Sequence, residues 1–123
     1  MSRYRLSKDA ESDLIEIARY IAGNASLETA ERELTHIIET IIQIASHPSV
    51  GRPEVRYGRG ILSFPSRKYK IYYRKRIQGI LVLHIFHAAR DQKRAWRGEN
   101  RLRWVGPAPW SQGSLLITSV AEF

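Results

Sequence analysis

The chain has no cysteine among its 123 residues. Disulfide staples are therefore excluded, as is any thiolate nucleophile or thiolate metal ligand. The absence suits a reducing compartment, and a cytoplasmic location is expected. Long apolar runs are missing too. None approaches the roughly 20 residues of a membrane-spanning helix, and the opening Met-Ser-Arg-Tyr-Arg-Leu has no long apolar core of a signal peptide. No membrane association is expected. Ligand spacing for a metal is absent as well: His36 sits inside one helical pattern and His47 ends it, so neither a metal nor another cofactor is expected. The length suits one domain, large enough to bury roughly two-thirds of its unfolded surface without staples.

Acidic residues are the scarcer charge, 12 against 20 Lys and Arg, for a net of +8. They are also unevenly spread. Residues 1–47 carry five basic and eight acidic side chains, whereas residues 48–103 carry fifteen basic and three acidic. A mildly acidic first part thus precedes a strongly positive second part. Segregation of this kind favours nucleic acid or an acidic protein as partner over a merely solubilising charge.

The order of elements follows from patterning. Tyr4-Arg5-Leu6 alternates as a short strand does. Ser7 suits a helix N-cap, with Asp9, Glu11 and Asp13 at the positive end of the helix dipole. Ala10, Leu14, Ile17, Ala18 and Ile21 then recur at helical spacing until Gly23-Asn24. Ser26 caps a second helix whose stripe is Leu27, Ala30, Leu34, Ile37, Ile38, Ile41, Ile44 and Ala45, ended by His47-Pro48. A loop this short makes the two helices an antiparallel hairpin. Pro48 to Pro53 reads as a connector. Three strands follow: Ile61 to Phe64 stopping at Pro65, Tyr69 to Arg74, and Ile80 to Phe86. The last is apolar on both sides except for His84, the mark of a central strand. Short links make these three an antiparallel meander. The expected fold is α+β: an N-terminal strand, a helical hairpin and a three-stranded meander, with the first strand returning to pair beside a later one. Beyond Trp96 the pattern lapses, and Leu115 to Val120 reads equally as one added edge strand or as a loose tail.

Taken together, Tyr4-Arg5-Leu6, Ala10, Asp13-Leu14, Ile17, Tyr20-Ile21, Gly51-Arg52-Pro53, Tyr69-Lys70-Ile71-Tyr72-Tyr73-Arg74 and His87-Ala88-Ala89-Arg90 resemble the ParE/RelE superfamily of bacterial type II toxin–antitoxin toxins. The resemblance spans about Tyr4 to Lys93. It implies residues 1–97 as the toxin domain, leaving residues 98–123 as a C-terminal extension. It also implies a cognate antitoxin that wraps and silences the toxin in a hetero-oligomer, and growth inhibition when the toxin is free. ParE-like members inhibit DNA gyrase by stabilising cleaved, unsealed DNA. RelE-like members are ribonucleases that cut mRNA, often on the ribosome.

A metal-independent ribonuclease needs a base for the 2′-hydroxyl, cations for the phosphate and an acid for the leaving oxygen. Arg67, Lys68, Arg74, His87 and Arg90 are the candidates, arginine for its permanent bidentate charge and His87 for a proton exchanged near neutrality. Beyond Arg90 there are Lys93 and Arg94 but no tyrosine, and the long apolar second helix is more like ParE. A gyrase inhibitor without catalytic residues is therefore favoured over the nuclease. On that reading Arg67, Lys68, Arg74, His87, Arg90, Lys93 and Arg94 bind the target or the antitoxin. His84 reads as a satisfied core or face histidine before a ligand. Tyr69, Tyr72 and Tyr73 read as packing residues before base-stacking ones. An acidic antitoxin segment is expected to add a strand to an exposed edge and to cover the Arg90 end and the hairpin at Gly79.

Overall fold

A computed structural model describes residues 3–89. Arg90, Asp91, Lys93, Arg94 and the stretch 98–123, including Leu115 to Val120, read as either an edge strand or a loose tail, lie outside the described residues. Strand β1 (Arg3–Leu6) leads into helices α1 (Lys8–Asn24) and α2 (Leu27–Ser46). After a connector come β2 (Arg52–Pro53), β3 (Ile61–Ser66), β4 (Tyr69–Arg76) and β5 (Gly79–His87). The sheet order is β1-β5-β4-β3-β2. All neighbours are antiparallel except β1 and β5, which run parallel. The expected architecture is present, with the apolar strand β5 internal to the sheet and β1 at its flank.

Both helix starts are built as the sequence predicts. The Ser7 Oγ accepts the Ala10 amide, and the Ser26 Oγ accepts the Thr29 amide, satisfying donors that a helix's first turn leaves without partners. The hairpin covers one face of the sheet. Leu14, Ile37, Ile41 and Ile44 pack there against Tyr4, Leu6, Ile71, Tyr73, Ile80, Val82 and Ile85. The Thr40 and Ser66 hydroxyls share a buried hydrogen bond of 3.1 Å that ties α2 to β3. Leu27, at the head of the predicted stripe, is 74% exposed because it precedes the part of α2 that meets the sheet.

Two differences from the expected strands have simple causes. The connector supplies a two-residue strand, β2, whose Arg52 and Pro53 pair with Ser63 and Leu62. β3 continues through Pro65, opposite Lys70, to Ser66. β2 stops short of this point, and a residue without an amide hydrogen is tolerated where one side of a strand is open.

β5 carries a bulge. Tyr73 faces Val82 but Tyr72 faces His84, so Leu83 is the extra residue. Counting alternately from Ile80 and Val82 would send His84 into the helix-covered core. The bulge reverses the parity. Ile85 goes to the helix side instead, while His84 and Phe86 join Tyr72 on the other face.

Candidate functional site

β1 pairs with β5 only as far as Leu6 opposite Val82. Beyond it, the first turns of α1 take over the exposed edge of β5. The Ser7 amide donates to the Val82 carbonyl at 2.9 Å, and the Ser7 hydroxyl donates to the Leu83 carbonyl at 2.9 Å. The Asp13 Oδ2 accepts the Ile85 amide at 2.9 Å and the His84 Nδ1 at 3.1 Å. Asp9 lies 3.8 Å from His84 Nε2. Burial pushes the Asp13 carboxyl above its ordinary range, although the hydrogen bond and charge of His84 and the Ile85 amide oppose the shift. His84 is thus a satisfied histidine that stacks on Phe86 at 4.6 Å between centroids.

The basic side chains singled out in the sequence fall at two ends of the sheet. Arg67 and Lys68 form the β3–β4 turn, next to His87 at the end of β5, where the Lys68 carbonyl accepts the Ala88 amide. Arg67 has φ of 55° and pairs with Glu33 of α2 at 3.3 Å. The His87 ring meets Tyr69 edge to face, and its Nδ1 accepts the Ala89 amide. A cleft of about 520 Å³ opens there, lined by Asp13, Glu16, Ile17, Tyr20, Tyr69 and His87 among others. Arg74 lies five residues along β4 from Tyr69, or roughly 17 Å at about 3.3 Å per strand residue. It is on the opposite face, where its guanidinium donates to the Arg59 carbonyl. Arg67, Lys68 and His87 are therefore brought together, and Arg74 is not among them. Tyr69, Tyr72 and Tyr73 are buried packing residues. Burial pushes all three phenols up, keeping them protonated.

The face without helices holds a pattern missed in the sequence. Residues paired across strands share a face. Arg3 is opposite Gly79, and Gly79 opposite Arg76. One step along, Arg5 is opposite Leu81, and Leu81 opposite Arg74. Four arginines thus stand in two rows on the side away from the helices, with a glycine and a half-buried leucine between the columns. Arg52, opposite Ser63, and Lys70 extend the positive surface. Among the described residues, no strand position on this face is acidic. Glu54, in the connector beside it, is held by the Ser63 hydroxyl at 2.7 Å, Lys70 Nζ at 3.0 Å and Arg56 Nε at 3.6 Å. Burial alone would raise its carboxyl, but these partners win and hold it below the ordinary range. Arg3 and Arg5 were hidden by their place in the acidic first part of the chain. The available signal was their alternation with Tyr4 and Leu6, which puts both on the face opposite the core.

Among the described residues no group of side chains is disposed to hold a metal ion, and no helix is long and apolar enough to cross a membrane.

This arrangement of a flanking parallel strand, a helical hairpin on one face and an antiparallel meander is the fold of toxin–antitoxin toxins. A chain of the chromosomal ParDE toxin–antitoxin system from P. aeruginosa superposes with a TM-score of 0.62 at 19% identity, covering 71% of this chain and 96% of that one. A chain of the toxin–antitoxin complex RelBE2 from Mycobacterium tuberculosis gives a TM-score of 0.53 at 21% identity, over 70% and 96% of the two chains. In sequence, Toxin ParE1 of Caulobacter vibrioides is 34% identical over 86 residues, which is 68% of this chain and 90% of that toxin. The family described as the ParE toxin of the type II toxin–antitoxin system parDE matches residues 4–92. The chain belongs to that family, and the partner such a system implies is a cognate antitoxin.

Proposed function

We propose that this toxin acts as a binding inhibitor of DNA gyrase in the cytoplasm, without catalysis, and that its antitoxin silences it by masking basic surface. The observation that carries the reading is the family match through residues 4–92. The arrangement of the candidate nuclease residues supports it. Arg67 is drawn to Glu33, and Arg74 lies on the other face and binds a loop carbonyl. A metal-free ribonuclease needs its base, acid and cations around one phosphate. The toxin domain is proposed to span residues 1–97, with residues 98–123 as an extension, because the family match ends at residue 92.

The test is induced expression with DNA and RNA read in the same culture, followed by supercoiling assays with purified toxin. The expected result is growth arrest rescued by the antitoxin, loss of supercoiling, linear DNA and intact transcripts. Transcripts cut by purified toxin in EDTA, with supercoiling unaffected, would overturn the proposal in favour of an endoribonuclease.

A further inference from the structure

We propose that the helix-free face of the sheet, through Arg3, Arg5, Arg74 and Arg76, binds the phosphate backbone of duplex DNA. The argument starts from register. The pairings Arg3–Gly79–Arg76 and Arg5–Leu81–Arg74 fix all four arginines on one side of three adjacent strands. Neighbouring strands are about 4.8 Å apart, so the two columns of arginine Cα atoms are about 10 Å apart, and the two rows about 7 Å. Guanidinium groups spaced like this each meet a separate phosphate. A polyanion of regularly spaced phosphates matches such a grid.

Three observations favour phosphate over an acidic peptide. All four side chains are arginines, whose planar forks match phosphate oxygens. Gly79 adds no side chain between Arg3 and Arg76, so the cleft of about 470 Å³ that these three residues help to line presents guanidinium groups and no acid. The arginines also project from the sheet face and not along its edge, so strand addition does not engage them. Arg3, Arg5 and Arg76 are exposed, and Arg74 is oriented by the Arg59 carbonyl. Glu28, Glu31 and Glu39 of α2 lie on the other side of the molecule, so the field has a direction. The choice of duplex DNA over RNA rests on the gyrase reading; the phosphate site itself does not.

The test is fluorescence anisotropy of the full chain against a mixed-sequence DNA duplex and a single-stranded RNA, titrated from 50 to 300 mM salt. Binding to duplex is expected, with affinity falling steeply with salt. Arg5→Gln with Arg76→Gln should reduce the slope of log K against log salt by about 2 and weaken binding about 50-fold near 0.1 M salt. Arg32→Gln, on the helix side, should leave both unchanged. No duplex binding at 50 mM, or a slope that the double variant does not change, would overturn the proposal. RNA bound at least tenfold more tightly than duplex would overturn the choice of DNA. A double variant that loses antitoxin affinity alone would make the face a peptide site and sink the idea. Gyrase inhibition by a wild-type toxin that binds no duplex would refute this proposal and leave the functional one intact. Duplex binding without any effect on gyrase would do the reverse.

Discussion

The Asp13 carboxylate of α1 and the Ile85 amide of β5, far apart in the chain, are joined by a buried hydrogen bond of 2.9 Å. The same oxygen holds His84, so one side chain closes the part of the β5 edge that β1 is too short to reach. Asp13→Ala should cost about 2–4 kcal/mol, since it leaves a buried amide and a buried ring nitrogen without an acceptor. Asp13→Asn keeps an acceptor for the amide and should cost about half as much. Urea unfolding of the two variants checks the order.

Two buried carboxylates should give opposite dependences on pH. Asp13 is shifted above its ordinary 3.8. The folded state therefore holds its proton more tightly than the unfolded chain does. The resulting stabilisation is full below that value and is lost as pH rises through the raised folded value. Glu54 is shifted below its ordinary 4.5. Its contribution is present above that value and disappears as pH falls through the lowered one. Relative to Asp13→Asn the wild type should gain stability on acidification; relative to Glu54→Gln it should lose it. Unfolding curves between pH 3 and pH 7 read both differences.

Lys70 and Ser63 make Glu54 the tie between the connector and the sheet. Glu54→Gln should cost about 1–2 kcal/mol near neutrality. The lower part of the range for charged hydrogen bonds applies because Lys70 is partly exposed and water screens the pair. Lys70→Met should produce a similar loss, and the double variant less than the sum, in a double-mutant cycle by chemical denaturation.

Tyr73 serves the same connector from the other face. Its hydroxyl donates to the Pro48 carbonyl at 2.7 Å and accepts the Gly51 amide at 2.9 Å. Tyr73→Phe should lose about 1–3 kcal/mol from the two bonds. The change should raise amide exchange around Gly51 before it affects the helices.

Gly79 is the most constrained backbone position. Its φ is 150°, and a Cβ there would lie 1.7 Å from the Arg3 carbonyl oxygen. Gly79→Ala should therefore detach β1, costing several kcal/mol, and expose the amides of residues 3–6 to exchange. An alanine variant with β1 amides still protected would contradict the geometry.

Much of this fold is local in origin and was legible. Ser7 and Ser26 cap within their own helices, His47-Pro48 stops α2, and the apolar run at Ile80 marks an interior strand. What escaped depends on distant partners. Asp13 reads as a dipole-friendly acid of a first helix, and only β5 makes it a buried acceptor. The arginine rows are invisible in one dimension because Arg5 and Arg74 are joined only through Leu81. The bulge at Leu83 leaves no composition signal, yet it decides which way His84 points.

The parallel pairing of the first strand with the last has a consequence for biosynthesis. During translation, at about 5–20 residues per second, both helices leave the exit tunnel several seconds before β5 does. Until then β1 has no neighbour and the hairpin has no sheet to cover. The nascent chain is thus unfinished as a toxin until β5 has emerged, because the last described strand completes both the sheet and the seat of the helices.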